Sequence, residues 1–338
     1  MRSATLHPFV LLLPLAVIAA FWLAASVERR LRGSRQPGFV RRNGVPIATY
    51  LVLAVGVWML LLILLPQLAM LELSFRPKLP PVAMDGPRDI YTLQNYRYFL
   101  FGSATDTQHW NTTHLHAFAL TILVSILVTL FDFALCYPLA FHMAQTARGA
   151  RLRLLILLLI APYWVNEVLR AFALRIIFAS SGLLNTALLG LGLIARPVDF
   201  LGLNVGLYAG LAYAYLLLMV FPLYNAIESL PREQIEAARD LGAPWWRIHR
   251  DIVVPFAKPG IASGCTLVFM LSAGALATPL ILSGPRSLWF TPIVYDRFYQ
   301  AFNWPQGAAY AFILLLTCVA FVLAVLRLSR LSLGEITR

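Results

Sequence analysis

Two acids and an arginine lie in stretches otherwise built of apolar residues: Asp132, Glu167 and Arg170. An ionisable group inside an apolar span costs roughly 2.5–3.5 kcal/mol to insert and usually faces an aqueous interior. Tyr163, Asn166, Glu167 and Arg170 fall at i, i+3, i+4 and i+7, which places them on one face of a helix. Thr121, Ser125, Thr129, Asp132 and Cys136 form a second polar stripe at i, i+4, i+8, i+11 and i+15. Two such stripes on neighbouring helices predict a lined passage for a solute. Glu167 can also serve only to neutralise Arg170 one turn on. Asp132 has no Lys or Arg in its own span, so it is the better candidate to attract an amine. Tyr208 and Tyr215, seven residues apart, can add cation–π contacts, although tyrosines near span ends also anchor the membrane interface.

A different chemistry is written into residues 229–258. Pro231 suits the first turn of a helix and Gly242 suits its left-handed end. Between them Ile235, Ala238 and Leu241 recur at i, i+3 and i+6, giving an apolar face with charges around it. Pro244 can open a second short helix through Trp245, Trp246 and Ile248, expected to end before Pro255. A short helix, a glycine and another short helix at a membrane surface make a docking element. Small side chains there allow close approach, and the glycine allows the turn.

The elements that must position these groups are membrane helices. The chain has 338 residues, 60% hydrophobic and 12% charged. Soluble domains carry about 25% charged residues, so this composition calls for another solvent. Spans are expected near 9–26, 47–70, 115–142, 154–173, 206–228, 259–283 and 306–326. An all-α polytopic protein follows, because backbone exposed to lipid must satisfy its own hydrogen bonds. The segment 27–46 carries six arginines against the single acid Glu28, which places it in the cytoplasm. Alternation then assigns 17 Lys/Arg to cytoplasmic segments and nine to outside ones, with the amino terminus periplasmic and the carboxy terminus cytoplasmic. Two domains are expected. Residues 1–45 form an extra N-terminal transmembrane helix and basic linker, and 46–338 form the transmembrane core. The first apolar run can also be read as a cleaved signal peptide ending at Ala24-Ala25-Ser26, but the six arginines after it would resist translocation.

The net charge of +12 does not indicate nucleic acid, because the basic residues sit in short loops rather than in a stripe interleaved with aromatics. Cys136, Cys265 and Cys318 each lie in an apolar segment without ligand spacing, and they read as packing residues rather than a metal site. His109, His114 and His116 read as ordinary solvated histidines. The only lysines, Lys78 and Lys258, follow Pro77 and Ala257, so neither follows the glycine that a phosphate-binding P-loop requires.

Glu236-Ala237-Ala238, then Gly242, Ile252 and Pro255 follow the EAA-x3-G-x9-I-x-L-P signature, with Val254 in place of its leucine. On these residues the chain resembles the permease subunits of ABC importers. Within that family it looks like the B-type permeases of spermidine/putrescine importers. The matching stretches include Tyr91 through Tyr96, Pro162 through Asn166, Ser181 through Asn185 and Trp304 through Ala309. The resemblance implies a six-helix permease core and a bacterial inner-membrane location. It also implies ATP and magnesium on a separate ATPase subunit rather than on this chain, a second homologous permease and a periplasmic solute-binding protein. Residues 229–258 would be the coupling loop seated on the ATPase, with Glu236 in contact and Gly242 setting the bend. The expected solute is a polyamine or a related cationic compound. One departure concerns it: Ala275 and Leu280 stand where polyamine permeases often carry acids. The alternative is a secondary transporter of a small charged solute working through Asp132 and Glu167, which the coupling-loop signature argues against. A membrane-embedded enzyme lacks any constellation at catalytic spacing.

The bias in basic residues sets an expected topology. Reporter fusions at Gly33 and Gly149 should report cytoplasm, and fusions at Gly102 and Gly284 should report periplasm. An external signal from Gly149 would overturn the orientation of the whole core.

Overall fold

The computed structural model describes Trp22 and residues 45–80, 86–87, 89–103, 108–284 and 287–329. The expected N-terminal span and most of its basic linker lie outside these residues. The described residues contain helices and turns but no strand. They fall into two units, Met1–Leu73 and Ser74–Arg338. In the first, α1 (Val45–Met59) runs through a π-helical turn, Leu60–Leu64, into α2 (Leu65–Ser74). The wider turn precedes Pro66, whose ring lacks a donor and crowds the carbonyl four residues back. Val55, Trp58, Leu62, Ile63 and Leu68 are all exposed, as lipid-facing side chains are.

The second unit begins with α3 (Gln94–Phe101) and the long α4 (Thr112–Phe141), which ends in a π-helical turn, His142–Thr146. Then come α5 (Ala150–Ile160), a 3-10 turn (Ala161–Trp164), α6 (Glu167–Phe178) and α7 (Leu183–Gly190). Next is α8 (Val205–Glu228), followed by the two short helices of the loop over 229–258, α9 (Arg232–Asp240) and α10 (Trp245–Ile248). A π-helical turn, His249–Val253, carries α10 into α11 (Val254–Ala273). The chain continues through α12 (Ala277–Leu282), α13 (Phe290–Tyr299) and α14 (Trp304–Ser329). Six helical stretches among the described residues are long and apolar enough to cross a membrane: Leu53–Ser74, Thr112–Thr146, Glu167–Gly190, Val205–Glu228, Trp245–Ala273 and Trp304–Ser329.

Two expectations about these elements need correction. No single helix runs over 154–173. Pro162 ends α5 in a 3-10 turn, Val165 is extended, and Asn166 caps a new helix with its side chain. At 11 residues, α5 is roughly 16 Å long, too short for a hydrocarbon core of about 30 Å. The membrane-length stretch therefore starts at Glu167. The second helix of the loop over 229–258 also does not stop before Pro255. The π turn widens the helix upstream of the proline and lets it run on into α11.

The core is the seam where α4, α8 and α11 meet, with Leu207, Leu211, Met219, Leu223, Ile227, Val253 and Val268 buried. The stripe Thr121, Ser125, Thr129, Asp132 and Cys136 is buried in this seam and does not line an open passage. Its hydroxyls are occupied. Thr121 Oγ1 accepts from the Phe290 N–H at 2.9 Å, and Ser272 Oγ donates to Ser125 Oγ at 3.3 Å. Phe99 packs edge-on against Phe118, Phe290 and Tyr310, and Phe290 stacks on Tyr310, forming a second core. His114 belongs to that core and is not solvated, at 8% exposure. Its Nδ1 is 2.8 Å from Tyr310 Oη and 2.7 Å from Asn111 Nδ2. Asn111 in turn caps α4 by accepting from the His114 N–H.

Close approach of α8 and α11 depends on Gly260. A Cβ there would collide with the Pro222 carbonyl oxygen and lie 2.5 Å from Ala226 Cβ. The first obstacle is backbone and cannot rotate away. Overpacking of this kind costs typically 1–3 kcal/mol. Gly260→Ala should lower the unfolding midpoint of the purified protein, and Gly260→Leu should reduce its level in membranes. Native stability for both variants would show that the two helices are not held this closely.

Candidate coupling loop and solute path

The loop over 229–258 is built around one turn. Pro231, in an extended conformation, starts α9, with Glu233 in its first turn and Arg239 in its last, complementing the helix dipole. At the far end the Ala243 N–H bonds to the Ala238 carbonyl at 3.0 Å and the Gly242 N–H to that of Arg239 at 2.8 Å. This is a Schellman motif, and Gly242 takes its left-handed position with φ +76°. No atom lies within 4 Å of where a Cβ on Gly242 would sit. Its constraint is therefore backbone conformation and not space.

The turn sorts the loop into two faces. Ile235 and Ile248 are buried, and Ala238, Ala243 and Ile252 pack partly against the core. Glu236, Ala237, Gly242 and Pro255 are exposed, as are Trp245 and Trp246. Leu241 was expected on the apolar face but is 88% exposed. As the C-cap it lies where the chain has begun to reverse, so the i+6 spacing no longer applies.

The second group of residues converges from the 3-10 turn, α6, α8 and α12. The Arg170 guanidinium stands 4.5 Å from the centroid of the Tyr163 ring and 5.5 Å from that of Tyr213. Its Nε and Nη1 are buried without an acceptor. Glu167 does not pair with it within 4.0 Å. Its carboxylate instead accepts from Thr278 Oγ1 at 3.2 Å and from Tyr215 Oη at 3.4 Å. A narrow cleft, with room for little more than a water molecule, is lined by Glu167, Arg170, Tyr213 and Thr278, with Gly210 and Leu282. Tyr163 Oη donates to the Tyr213 carbonyl at 2.8 Å and accepts from the Leu217 N–H at 3.0 Å. It therefore bridges the two ends of one i to i−4 rung of α8, an insertion that loosens a helix locally.

Tyr163, Glu167, Arg170 and Tyr215 are thus brought together, though not on one continuous helix face. Asn166 is not part of the group: it is exposed, and its carboxamide caps α6 by accepting from the Val168 N–H at 2.8 Å. Tyr208 packs in the core near the start of α8. Asp132 is 0% exposed and neither carboxylate oxygen has a hydrogen-bond partner. It lies within electrostatic range of the Tyr163 phenol, as Arg170 does. Tyr213 and Thr278 were missed by the sequence reading. Thr278 sits in the stretch between Ala275 and Leu280, and its hydroxyl there was the available signal.

Residues 137–330 match the family described as the binding-protein-dependent transport system inner membrane component. The spermidine/putrescine transport system permease protein PotB of Escherichia coli is 33% identical over 276 residues, covering 81% of this chain and 94% of that protein. PotB of Haemophilus influenzae is 31% identical over 256 residues, covering 75% of this chain and 83% of that protein. The fold also matches a subunit in the crystal structure of a bacterial ABC transporter involved in the import of the acidic polysaccharide alginate. That match has a TM-score of 0.66 and 17% identity, over 86% of this chain and 96% of the other. With the signature loop folded as a Schellman turn between α8 and α11, the chain belongs to the binding-protein-dependent transport system inner membrane components, the permease subunits of ABC importers.

Proposed function

We propose that this permease forms the membrane path for a small solute, a polyamine or related cationic compound, delivered by a periplasmic binding protein. The names of the PotB relatives support the solute class. The observation that carries the mechanism is the outward face of the loop. Glu236, Ala237 and the Gly242 turn are exposed beside Leu241 and Trp245, while the opposite face is anchored in the core. An apolar face left open at the membrane surface marks an interaction site. The occupant is a separate ATPase subunit, which holds the ATP and magnesium and performs the hydrolysis. Ala238 and Ile252 shape the loop from within, Pro255 opens the helix that leaves it on its exposed side, and a second homologous permease completes the passage. The amino terminus is periplasmic and the carboxy terminus cytoplasmic, as the arginine distribution requires.

The solute path runs past Tyr163, Glu167, Arg170 and Tyr215, with Asn166 and Tyr208 at its margins. Asp132 is the acid that draws the cationic group. A buried carboxylate with no partner is costly unless some state of the protein supplies a cation or a donor. Alternating access supplies it, as the seam between α4 and α8 opens and the solute amine reaches Asp132. Membership of the permease family argues against a secondary transporter working through the same acids.

Two experiments test this reading. A left-handed non-Gly residue costs roughly 1–2 kcal/mol, and a β-branched one is strongly disfavoured. Gly242→Val should therefore reach the membrane at normal levels yet bind the ATPase subunit weakly and lose uptake. Glu236→Ala should show a milder defect, because it removes a contact and leaves the bend. Full uptake by Gly242→Val at normal expression would show that this loop does not transmit the force. For the path, Asp132→Asn should assemble normally and take up spermidine with a raised KM. Unchanged uptake kinetics would remove Asp132 from the site.

A further inference from the structure

The cytoplasmic loop is joined to α8 and α11 by the chain itself. It has no covalent route to α4, the helix that carries Asp132, and two non-covalent ties supply one. The first is made of backbone carbonyls. Arg232 Nη2 donates to the Ala144 carbonyl at 3.2 Å, and Gln145 Nε2 donates to those of Ile227 at 2.9 Å and Leu230 at 3.4 Å. These contacts fix the end of α4 to the point where α8 enters the loop.

The second tie joins two side chains. His249 opens the π turn behind α10 and is buried. Its Nδ1 lies 2.7 Å from the Oη of Tyr137 on α4. The imidazole packs against Phe141 and Trp245, with ring centroids 4.4 and 4.3 Å away. Its Nε2 is buried without a partner. An apolar ring would fill this space without stranding a polar nitrogen, so packing alone does not account for a histidine here. Tyr137 is also specially placed. Pro138 follows it, and an interior proline removes one rung of the ladder and lets a helix bend. Tyr137 thus sits beside the proline at which α4 can bend, five residues beyond Asp132.

We propose that the Tyr137–His249 hydrogen bond is the contact through which the coupling loop moves α4, and with it Asp132. This rests on the reading that the loop transmits ATP-driven motion. When the ATPase subunits shift α10, His249 shifts with it, because the two belong to one helix. The hydrogen bond then pulls α4 at its proline bend, and the seam with α8 opens beside Asp132. Tyr137 and His249 are positioning residues in this scheme and do not contact the solute.

Cys136, buried in the seam next to Tyr137, reports the movement directly. In the assembled transporter, with Cys265→Ala and Cys318→Ala, labelling of Cys136 by a membrane-impermeant methanethiosulfonate is compared between resting and vanadate-trapped states. Trapping should raise the rate roughly fivefold, about 1 kcal/mol, the net size of one hydrogen bond. Tyr137→Phe keeps the ring and removes one oxygen. It should abolish most of that difference while vanadate still inhibits the partner ATPase. His249→Asn in the parent chain, which keeps a polar atom near the Nδ1 position, should retain the difference, and Tyr137→Phe with His249→Phe should be no worse than Tyr137→Phe alone. A full trapping response in Tyr137→Phe, or no response in the parent chain, overturns the proposal. The same assay on Gly242→Val separates the two readings. A full response there means that the loop itself does not couple, whereas a response lost in Gly242→Val and kept in Tyr137→Phe rejects only the tie.

Discussion

In hydrocarbon every peptide N–H and C=O must find its partner inside the protein, and this constraint governs where the chain departs from a straight helix. Several departures among the described residues come with their own remedy. Asn111 and Asn166 cap α4 and α6 with their side chains. Asn185 is buried and serves three backbone groups at once, donating to the carbonyls of Ala179 and Val198 and accepting from the Val198 N–H. Pro66 and Pro255 each follow a π-helical turn that widens the helix ahead of the ring. Tyr163 spans the rung between Tyr213 and Leu217.

The same economy of partners makes the exceptions informative. Asp132, the Nε and Nη1 of Arg170 and the Nε2 of His249 are buried with none. Arg170 is partly compensated by the π faces of two tyrosines, which stabilise a desolvated cation by about 2 kcal/mol or more. Asp132 has no such compensation. By contrast, the His114–Tyr310 network, which ties α4 to α14, is satisfied at every ring nitrogen and hydroxyl.

The loop over 229–258 shows how little sequence is needed to specify a compact helix–turn–helix. One glycine with positive φ closes α9, and one proline opens α10. The buried pair Ile235 and Ile248 then fixes both helices to the core. What remains on the outside is a face of small, charged and aromatic residues. Past it, α10 continues through the π turn into α11 without an intervening loop.

By itself the sequence determined the features set by local chemistry. The span lengths follow from apolar runs, and the Gly242 turn follows from the conformational freedom of glycine. The family was legible in six matched positions at fixed spacing. Local chemistry did not extend to which side chains meet across helices. The stripe from Thr121 to Cys136 has the periodicity of a lined passage, yet tertiary packing made it a buried seam, because a polar face on a helix reads the same whether it meets water or another helix. Tyr213 and Thr278 joined Arg170 and Glu167 only once α8 and α12 were packed against α6. Pro162 marked a break that apolar continuity concealed, since hydropathy counts side chains and not backbone hydrogen bonds. The bond between Tyr137 and His249 spans 112 residues of sequence. No periodicity announces it, because only the folding of α10 back onto α4 brings the two rings together.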